Sequence, residues 1–305
     1  MQGKIIKGIA GFYYIDTPSG KVYECRAKGI FRQQKIKPLV GDDVEMDVVS
    51  EDDATGNVSK VLPRKNELIR PPVANVDQAL IIFAIVHPDP SYNLLDRFLI
   101  MMKQQNLPVI ICFNKQDIAG EEEQRELEET YEKCGYKVLF ISVANGNGID
   151  ELKSLLKGKT TVLAGPSGVG KSSLINLLHP KAKMQTGELS KKIERGKNTT
   201  RHSELFHVEG LGPDTYIMDT PGFTSLYLKD VTKEALPLYY PEFEAYEPDC
   251  RFGGCSHITE PDCGVKKAVE EGLISRIRYD NYKVLYDELK NAKPVYAKKE
   301  GRRPQ

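Results

Sequence analysis

Residues 165–172 have the residue types and the spacing of a loop that binds phosphate groups. They read GPSGVGKS, which matches the pattern GxxxxGK[ST], and they lie between a predicted strand and a predicted helix. In such a loop the backbone N–H groups curl around phosphate oxygens, Lys171 reaches the β- and γ-phosphates, and Ser172 holds Mg²⁺. The residues expected to contact the nucleotide here are Gly165, Pro166, Ser167, Gly168, Val169, Gly170, Lys171, Ser172 and Ser173.

A second motif can distinguish one base from another. Asn114-Lys115-Gln116-Asp117 follows an apolar strand and matches the NKxD motif of GTPases. The Asp117 carboxylate can accept hydrogen bonds from N1–H and the N2 amino group of guanine, whereas adenine offers no such pair. Asn114 and Lys115 are expected to brace the loop and to cover the ring. The motif therefore favours GTP and GDP over adenine nucleotides.

The next predicted strand ends in Ser142-Val143-Ala144. This segment is similar to the GTPase loop that contacts the guanine carbonyl through a backbone N–H, with Val143 in place of the usual Ala. It is the third segment predicted to bind the nucleotide.

Asp219-Thr220-Pro221-Gly222 matches the DxxG pattern, in which the aspartate holds Mg²⁺ through water and the Gly222 N–H senses the γ-phosphate. Between this motif and the phosphate loop, Thr199 or Thr200 should coordinate Mg²⁺ in the triphosphate state, and we favour Thr200. The residues predicted to act in catalysis are Lys171, Thr200, Asp219 and Gly222.

The residue after Gly222 is Phe223, where many GTPases carry a glutamine that orients the attacking water. A phenyl ring cannot orient water by hydrogen bonding. We therefore expect slow intrinsic hydrolysis that requires a partner or another residue.

Cys250, Cys255, His257 and Cys263 have the spacing C-x4-C-x-H-x5-C. Three thiolates and one imidazole suit a closed tetrahedral Zn²⁺ site, which is structural because no position is left open for water. Six cysteines in 305 residues do not form a disulfide framework. We expect one structural Zn²⁺.

The surrounding pattern predicts three domains. Residues 1–68 contain about five short strands typical of a β-barrel, which we assign to the OB-fold, although periodicity alone does not separate it from an SH3-like barrel. A Pro-interrupted, charged linker occupies residues 63–73. Alternating strands and helices over residues 72–229 predict a doubly wound α/β domain around the phosphate loop. Residues 230–305 hold the Cys/His cluster, a C-terminal helix and a basic tail, and predict a mainly helical zinc-binding domain.

The charges balance, with 43 Lys+Arg against 43 Asp+Glu, but they are unevenly distributed along the chain. Basic residues concentrate in 28–37, 181–201 and 290–305, whereas 121–133 is acidic. We interpret the basic segments as contacts for an RNA backbone. The longest apolar run, residues 79–86, is far shorter than the about 18 residues of a membrane span, so no membrane is expected. No secretion signal precedes the first strand, and a cytoplasmic location is expected.

The motifs follow the order NKxD, SVA, phosphate loop, switch threonine, DxxG, which is a circular permutation of the usual GTPase order. Together with the N-terminal barrel and the C-terminal Cys/His cluster, this order closely resembles the ribosome small-subunit-dependent GTPase A family. The resemblance implies a monomer that binds the small (30S) ribosomal subunit and its 16S rRNA, acts late in subunit maturation and hydrolyses GTP faster when bound. It also implies zinc on the Cys/His pattern.

Two other functions fit some of the motifs. GPSGVGKS also looks like the loop of guanylate kinases, although NKQD and DTPG argue against a kinase. The chain could instead be a zinc-stabilised RNA-binding module whose nucleotide domain binds GTP without turnover. The intact Lys171 and Ser172 argue against this second alternative.

Overall fold

The computed structural model describes residues 1–29, 31, 36–69, 71–184, 203–219, 228 and 231–292. The chain forms two compact units, Met1–Tyr227 and Leu228–Gln305. The predicted switch residues Thr199, Thr200 and Gly222 lie outside the described residues, as does most of the two basic segments 181–201 and 290–305. Within the described ranges, none of the helices is long and apolar enough to cross a membrane.

The first unit begins with a closed barrel of five strands, which confirms the OB-type prediction. The strands are β1 (Gln2–Ile9), β2 (Phe12–Asp16), β3 (Val22–Ala27), β4 (Asp43–Ser50) and β5 (Thr55–Val61). They pair in the order β1-β2-β3-β5-β4, and β4 closes onto β1. Alternate side chains such as Ile5, Ile15 and Met46 point inward and are buried in the barrel core.

The segment 63–73 was expected to be a linker, but it is built into both neighbouring domains. It contains a two-stranded hairpin, β6 (Glu67–Leu68) and β7 (Val73–Ala74), and both Leu68 and Val73 are buried in the core of the following domain. Arg64 forms hydrogen bonds with both carboxylate oxygens of Asp42, which is fully buried in the barrel unit. The turn-forming prolines suggested a free connection and gave no sign of these tertiary contacts.

The central domain is a parallel sheet with one antiparallel strand, on the side where the sheet continues into barrel strand β1. The strands are β8 (Gln78–Ala84), β9 (Val109–Asn114), β10 (Lys137–Phe140), β11 (Thr160–Ala164), β12 (Glu204–His207) and β13 (Tyr216–Asp219). Their order is β10-β9-β8-β11-β13-β12, and all pairs except β12–β13 are parallel. Every residue of β8 is buried, as expected for a strand covered on both faces.

Four helices cover the two faces of this sheet. They are α1 (Tyr92–Gln104), α2 (Glu121–Glu132), α3 (Ile149–Leu156) and α4 (Lys171–Leu178). Leu95 and Phe98 of α1 share one apolar cluster with Tyr131 of α2, whereas α3 and α4 contribute Leu152 and Leu174 to the cluster on the other face. This arrangement confirms the doubly wound α/β prediction.

The second unit has no strand in the described residues 231–292. It contains three short 3-10 helices, followed by α5 (Gly264–Glu270) and α6 (Arg276–Asn291). Its core is aromatic, with Tyr282 packed edge-on against Tyr240 and Phe243. Arg278 and Glu242 form an ion pair of 2.8 Å in which both side chains are almost fully buried.

Candidate functional site

The predicted nucleotide loops meet at one edge of the parallel sheet. Asn114 is the last residue of β9, Ser142 follows β10, Gly165 follows β11, and Asp219 is the last residue of β13. Because the strands are parallel, their carboxyl ends lie at the same edge, which is where open α/β sheets bind ligands. The topology thus brings together segments that are separated by as many as a hundred residues.

The phosphate loop has a backbone that only glycine adopts readily. Gly165, Gly168 and Gly170 have φ angles of 148°, 84° and 99°. A Cβ at Gly165 would lie 2.1 Å from the Ile82 carbonyl oxygen, so the loop also requires close approach to β8. The Lys171 ammonium donates hydrogen bonds to the carbonyl oxygens of Gly165, at 2.9 Å, and Pro166, at 2.5 Å. The cation is therefore held over the loop, at the N-terminal end of α4.

Asn114 connects this loop to the other two nucleotide loops. Its Nδ2 donates to the Val169 carbonyl oxygen at 2.8 Å, and its Oδ1 accepts a hydrogen bond from the Val143 N–H at 3.1 Å. A Cβ at Gly170 would lie 2.2 Å from Asn114 Nδ2. One buried amide thus fixes the separation of all three loops, which is the bracing role expected for it from the sequence.

Ser142 orients the carboxylate that is predicted to recognise the base. Its hydroxyl donates to Asp117 Oδ1 at 2.5 Å and accepts the Asn145 N–H at 3.2 Å. Ser142 is fully buried, whereas the Asp117 side chain is exposed. The carboxylate is therefore fixed on its protein side and open towards solvent, as a group that accepts hydrogen bonds from a ligand must be.

A loop that the sequence analysis did not single out lies beside the phosphate loop. After β8 the chain reaches His87 and Pro88, and the Lys115 ammonium donates to the His87 carbonyl oxygen. A Cβ at Gly168 would lie 3.8 Å from Pro88 Cδ, so this loop borders the predicted phosphate site. The sequence indicates this loop only by its position, because residues 87–90 follow a buried parallel strand, as the other three loops do.

The remaining predicted residues divide into two groups. Ser172 and Ser173 lie half-buried on the first turn of α4, and Asp219 lies opposite Leu163 of β11 in the parallel register. Thr199, Thr200, Thr220, Gly222 and Phe223 fall outside the described residues.

The Cys/His residues of the second unit form a compact cluster. The ligand atoms of Cys250, Cys255, His257 and Cys263 all lie within 4.8 Å of one another. The Sγ atoms of Cys250 and Cys263 are 3.8 Å apart. Sulfurs bound to one tetrahedral Zn²⁺ at about 2.3 Å stand about 3.8 Å apart, so the cluster has the dimensions that such an ion requires.

The orientation of His257 identifies the nitrogen that faces the thiols. Its Nδ1 is 3.4 Å from Cys263 Sγ and 3.6 Å from Cys250 Sγ, while its Nε2 faces Glu247 Oε1 at 3.5 Å. Burial lowers the pKa of His257, against the opposing effect of Glu247, which favours the neutral imidazole that a metal needs. A carboxylate behind a ligating histidine is the usual way to fix the ring.

Hydrogen bonds to the backbone hold the cluster loop in place. Tyr279 donates its hydroxyl to the His257 carbonyl oxygen at 2.7 Å, and Tyr282 donates to that of Ser256 at 2.6 Å. The carboxylate of Glu260 accepts N–H groups from Ser256, Ile258 and Thr259. Burial raises the pKa of the Cys255 thiol to about 12, a shift that a bound dication would reverse.

Two protein families together match most of the chain. The RsgA GTPase family matches residues 61–229, and the RsgA N-terminal domain matches residues 2–56.

Individual relatives match nearly end to end. A protein of Agathobacter rectalis named small ribosomal subunit biogenesis GTPase RsgA is 59% identical over 301 residues, covering 95% of this chain and 99% of the relative. A protein of the same name from Alkaliphilus metalliredigens is 49% identical over 289 residues, covering 95% of this chain and 98% of the relative.

Two solved structures are similar to this chain over almost all of its length. YloQ, described as a circularly permuted GTPase, is 39% identical with a TM-score of 0.75 and covers 97% of this chain and 96% of its own. YjeQ from Thermotoga maritima is 35% identical with a TM-score of 0.77 and covers 96% and 99%. The permuted motif order, the site at the sheet edge and these similarities agree: the chain belongs to the RsgA GTPase family and is a circularly permuted GTPase.

Proposed function

We propose that this GTPase binds the small (30S) ribosomal subunit, assists its late maturation, and hydrolyses GTP slowly alone and faster on the subunit. The observation that carries the proposal is its similarity, over 95% of the chain, to relatives named small ribosomal subunit biogenesis GTPase RsgA. The convergence of the nucleotide loops at one sheet edge supports the GTP-binding part of the proposal. A cytoplasmic location and a monomeric state belong to this proposal.

A GTPase of this family uses a guanine nucleotide with Mg²⁺. In our proposal Asp117, fixed by Ser142, accepts the hydrogen bonds of the guanine edge, and Asn114, Lys115, Val143 and Ala144 frame the base. Backbone N–H groups of residues 165–173 cradle the phosphates, and the positive φ angles of the glycines in this loop support that role. Lys171 neutralises charge on the β- and γ-phosphates.

The Mg²⁺ ligands proposed are Ser172 and, in the triphosphate state, Thr200 rather than Thr199, with Asp219 acting through water. Gly222 reports the γ-phosphate. Phe223 replaces the glutamine that orients water, so the subunit or another residue must supply that function.

The Cys/His cluster is proposed to hold one structural Zn²⁺. Its support is the donor set, the sulfur spacing and the burial of three of the four side chains. When bound, the ion cross-links the loop 250–263 and closes all four coordination positions, so no catalytic water is expected there.

The proposed partner surface is the 16S rRNA of the small subunit. The basic segments 28–37, 181–201 and 290–305 are proposed to contact its phosphates, while α2 carries the acidic stretch and faces away from RNA. The domain bounds 1–68, 72–229 and 230–305 remain part of the same proposal. Strong salt dependence of subunit binding is expected, because each phosphate contact releases a counterion.

The test is GTP hydrolysis with and without purified small subunits. We expect subunits to stimulate turnover by about tenfold or more, and Lys171→Ala to abolish it. Lys157→Ala, at an exposed lysine after α3, is the matched control and should leave turnover unchanged. Transfer of phosphate to a nucleoside monophosphate would instead indicate a kinase. Subunit binding without any turnover would indicate an RNA-binding module.

A further inference from the structure

The strand that carries Asp219 is linked to the barrel near both of its ends, at one end directly and at the other through its neighbour β12. Asp219 ends β13, and the residue opposite it in the antiparallel register is Glu204 of β12. Both carboxylate oxygens of Glu204 accept hydrogen bonds from the Lys7 ammonium of barrel strand β1, at 2.9 and 3.0 Å. This ion pair lies where β1 and β12 pair, with Lys7 opposite Glu204.

The other end of β13 carries the second attachment. Tyr216, its first residue, is buried, and its hydroxyl donates to Asp16 Oδ2 at the end of barrel strand β2 at 2.9 Å. Burial, together with the charge of Asp16, raises the pKa of Tyr216, so the hydroxyl keeps its proton and remains a donor. The two attachments are separated by the length of the four-residue strand, about 10 Å.

A β-bulge in barrel strand β1 determines which of its side chains face the central domain. The pairing of β1 with β2 shifts register between Ile5 and Lys7, which leaves Ile6 as the extra residue of a β-bulge. Ile5 fills the barrel core, whereas Ile6 packs against the core of the central domain, and Lys7 meets Glu204. A regular strand would have continued the alternation and pointed a different set of side chains at the neighbouring domain.

The junction beside these contacts is polar. A pocket of about 300 Å³ is lined by Lys4 and Asp43 of the barrel and by Asp77, Thr160 and Asp214 of the central domain. A displacement of the barrel against the sheet would be carried to β13 through the two attachments.

We propose that Lys7, Glu204, Asp16 and Tyr216 are positioning residues that couple the barrel to Asp219, so that engagement of the barrel by RNA adjusts the nucleotide site. The coupling to RNA rests on the proposed function. None of these four residues is assigned to nucleotide binding, and each acts through the β12–β13 hairpin. The subunit would thus stimulate hydrolysis partly by moving the carboxylate that positions Mg²⁺.

The decisive experiment reverses the charges of the ion pair singly and together. Lys7→Glu and Glu204→Lys should each lower subunit-stimulated turnover by about fivefold, and the double variant should recover to within about twofold of the parent. A lysine that merely contacts RNA phosphate behaves differently: Lys7→Glu would weaken subunit binding, Glu204→Lys would strengthen it, and the double variant would show the sum of these two opposite effects on affinity, with turnover at saturating subunits unchanged in all three. Subunit affinity is therefore measured beside turnover at saturating subunits.

The matched control is the ion pair between Lys137 of β10 and Glu151 of α3. It has the same 2.9 Å separation but lies within the central domain. Its two reversals should change stimulated turnover by less than about twofold. Tyr216→Phe, which keeps the buried ring and removes only the hydrogen bond to Asp16, should lower stimulated turnover by about threefold. Circular dichroism of each variant checks that it folds.

A second readout separates this proposal from the proposed function. Because Asp219 acts through Mg²⁺, the Mg²⁺ concentration for half-maximal GTP hydrolysis by the isolated protein should rise in each single reversal and return in the double variant. If subunits fail to stimulate the parent, the proposed function fails, and this Mg²⁺ pattern alone decides the coupling. Equal Mg²⁺ midpoints in all variants, or stimulation unchanged by the reversals, would overturn it.

Discussion

The nucleotide site and the Cys/His centre both gather side chains from separated positions in the chain, but different forces assemble them. The nucleotide loops follow strands whose residues are nearly all buried, and the loops are already joined through Asn114 and Ser142. The apolar sheet therefore sets their positions without a ligand. Asp117, the carboxylate proposed to recognise the base, lies at the carboxyl edge of the sheet and faces solvent.

The Cys/His centre has no strand beneath it in the described part of its unit. Its ligands lie on a loop that includes left-handed backbone at Gly254, His257 and Asp262, and it packs against a few aromatic rings. Bringing three thiols and one imidazole within 4.8 Å of one another costs free energy because the thiols are desolvated. The proposed Zn²⁺ would offset this cost, whereas apolar burial holds the nucleotide loops, so the two regions should fail in different ways.

The largest expected effect tests that contrast directly. Cys255→Ser should abolish zinc binding and destabilise the second unit by about 5 kcal/mol or more, since binding free energy is folding free energy in small metal domains. Zinc content and protease resistance of residues 231–292 measure this. Affinity for GTP should change by less than about threefold, because the nucleotide loops rest on the sheet.

The control is Cys134→Ala, which removes a buried thiol whose Sγ donates to the Thr130 carbonyl oxygen in the first unit. It should leave zinc content unchanged. A second unit that stays protease-resistant after full zinc removal would contradict the contrast.

Asp117→Asn probes the nucleotide side of the comparison. It should weaken GTP binding by about 100-fold, since two hydrogen bonds to a charged acceptor are lost or weakened. Xanthosine triphosphate should bind the variant better than it binds the parent, because the asparagine amide can donate a hydrogen bond to the carbonyl at C2 of xanthine. Nucleotide titration measures both, with Glu121→Gln, at an exposed acid that begins α2, as the control. Unchanged preference for guanine would remove Asp117 from base recognition.

Gly170→Ala tests whether the phosphate loop is held as tightly as the hydrogen bonds indicate. The new Cβ would face Asn114 Nδ2 at 2.2 Å on backbone with φ of 99°, so GTP affinity should fall by about 30-fold, equivalent to about 2 kcal/mol. Gly158→Ala is the control, because Gly158 has φ of 70° with nothing within 4 Å of the new Cβ. It should lower stability without affecting GTP affinity. Equal GTP affinities in both variants would show that Asn114 does not fix the loop.

Sequence reasoning succeeded where one local pattern determines one element. The phosphate loop lies between a strand, β11, and a helix, α4, as its sequence context predicts. It failed where a tertiary contact decides, as in the hairpin of β6 and β7, whose prolines indicated a free linker. The short strand β12 was missed because four residues with two buried side chains carry little periodicity.

The site divides in the same way. Residue types and spacing predicted Asn114, Asp117 and the phosphate loop because each motif is contiguous. The hydroxyl of Ser142 on Asp117 and the ion pair of Lys7 with Glu204 join residues that are far apart in the sequence. No single-chain pattern encodes such pairs, so only the fold reveals them.

The smallest expected effect concerns Ser142 itself. Ser142→Ala removes the hydroxyl that donates to Asp117 Oδ1 at 2.5 Å, and GTP affinity should fall by about fivefold, the value of one hydrogen bond of about 1 kcal/mol. Ser154→Ala, which removes an exposed hydroxyl bonded to the Glu151 carbonyl oxygen, should change affinity by less than about twofold. If Ser142 acts only by orienting Asp117, its removal should matter less once Asp117→Asn is already present, because the carboxylate it orients is gone. Equal effects in the two backgrounds would mean that Ser142 acts on the loop through Asn145 instead, and would break the link between the buried edge of the sheet and base recognition.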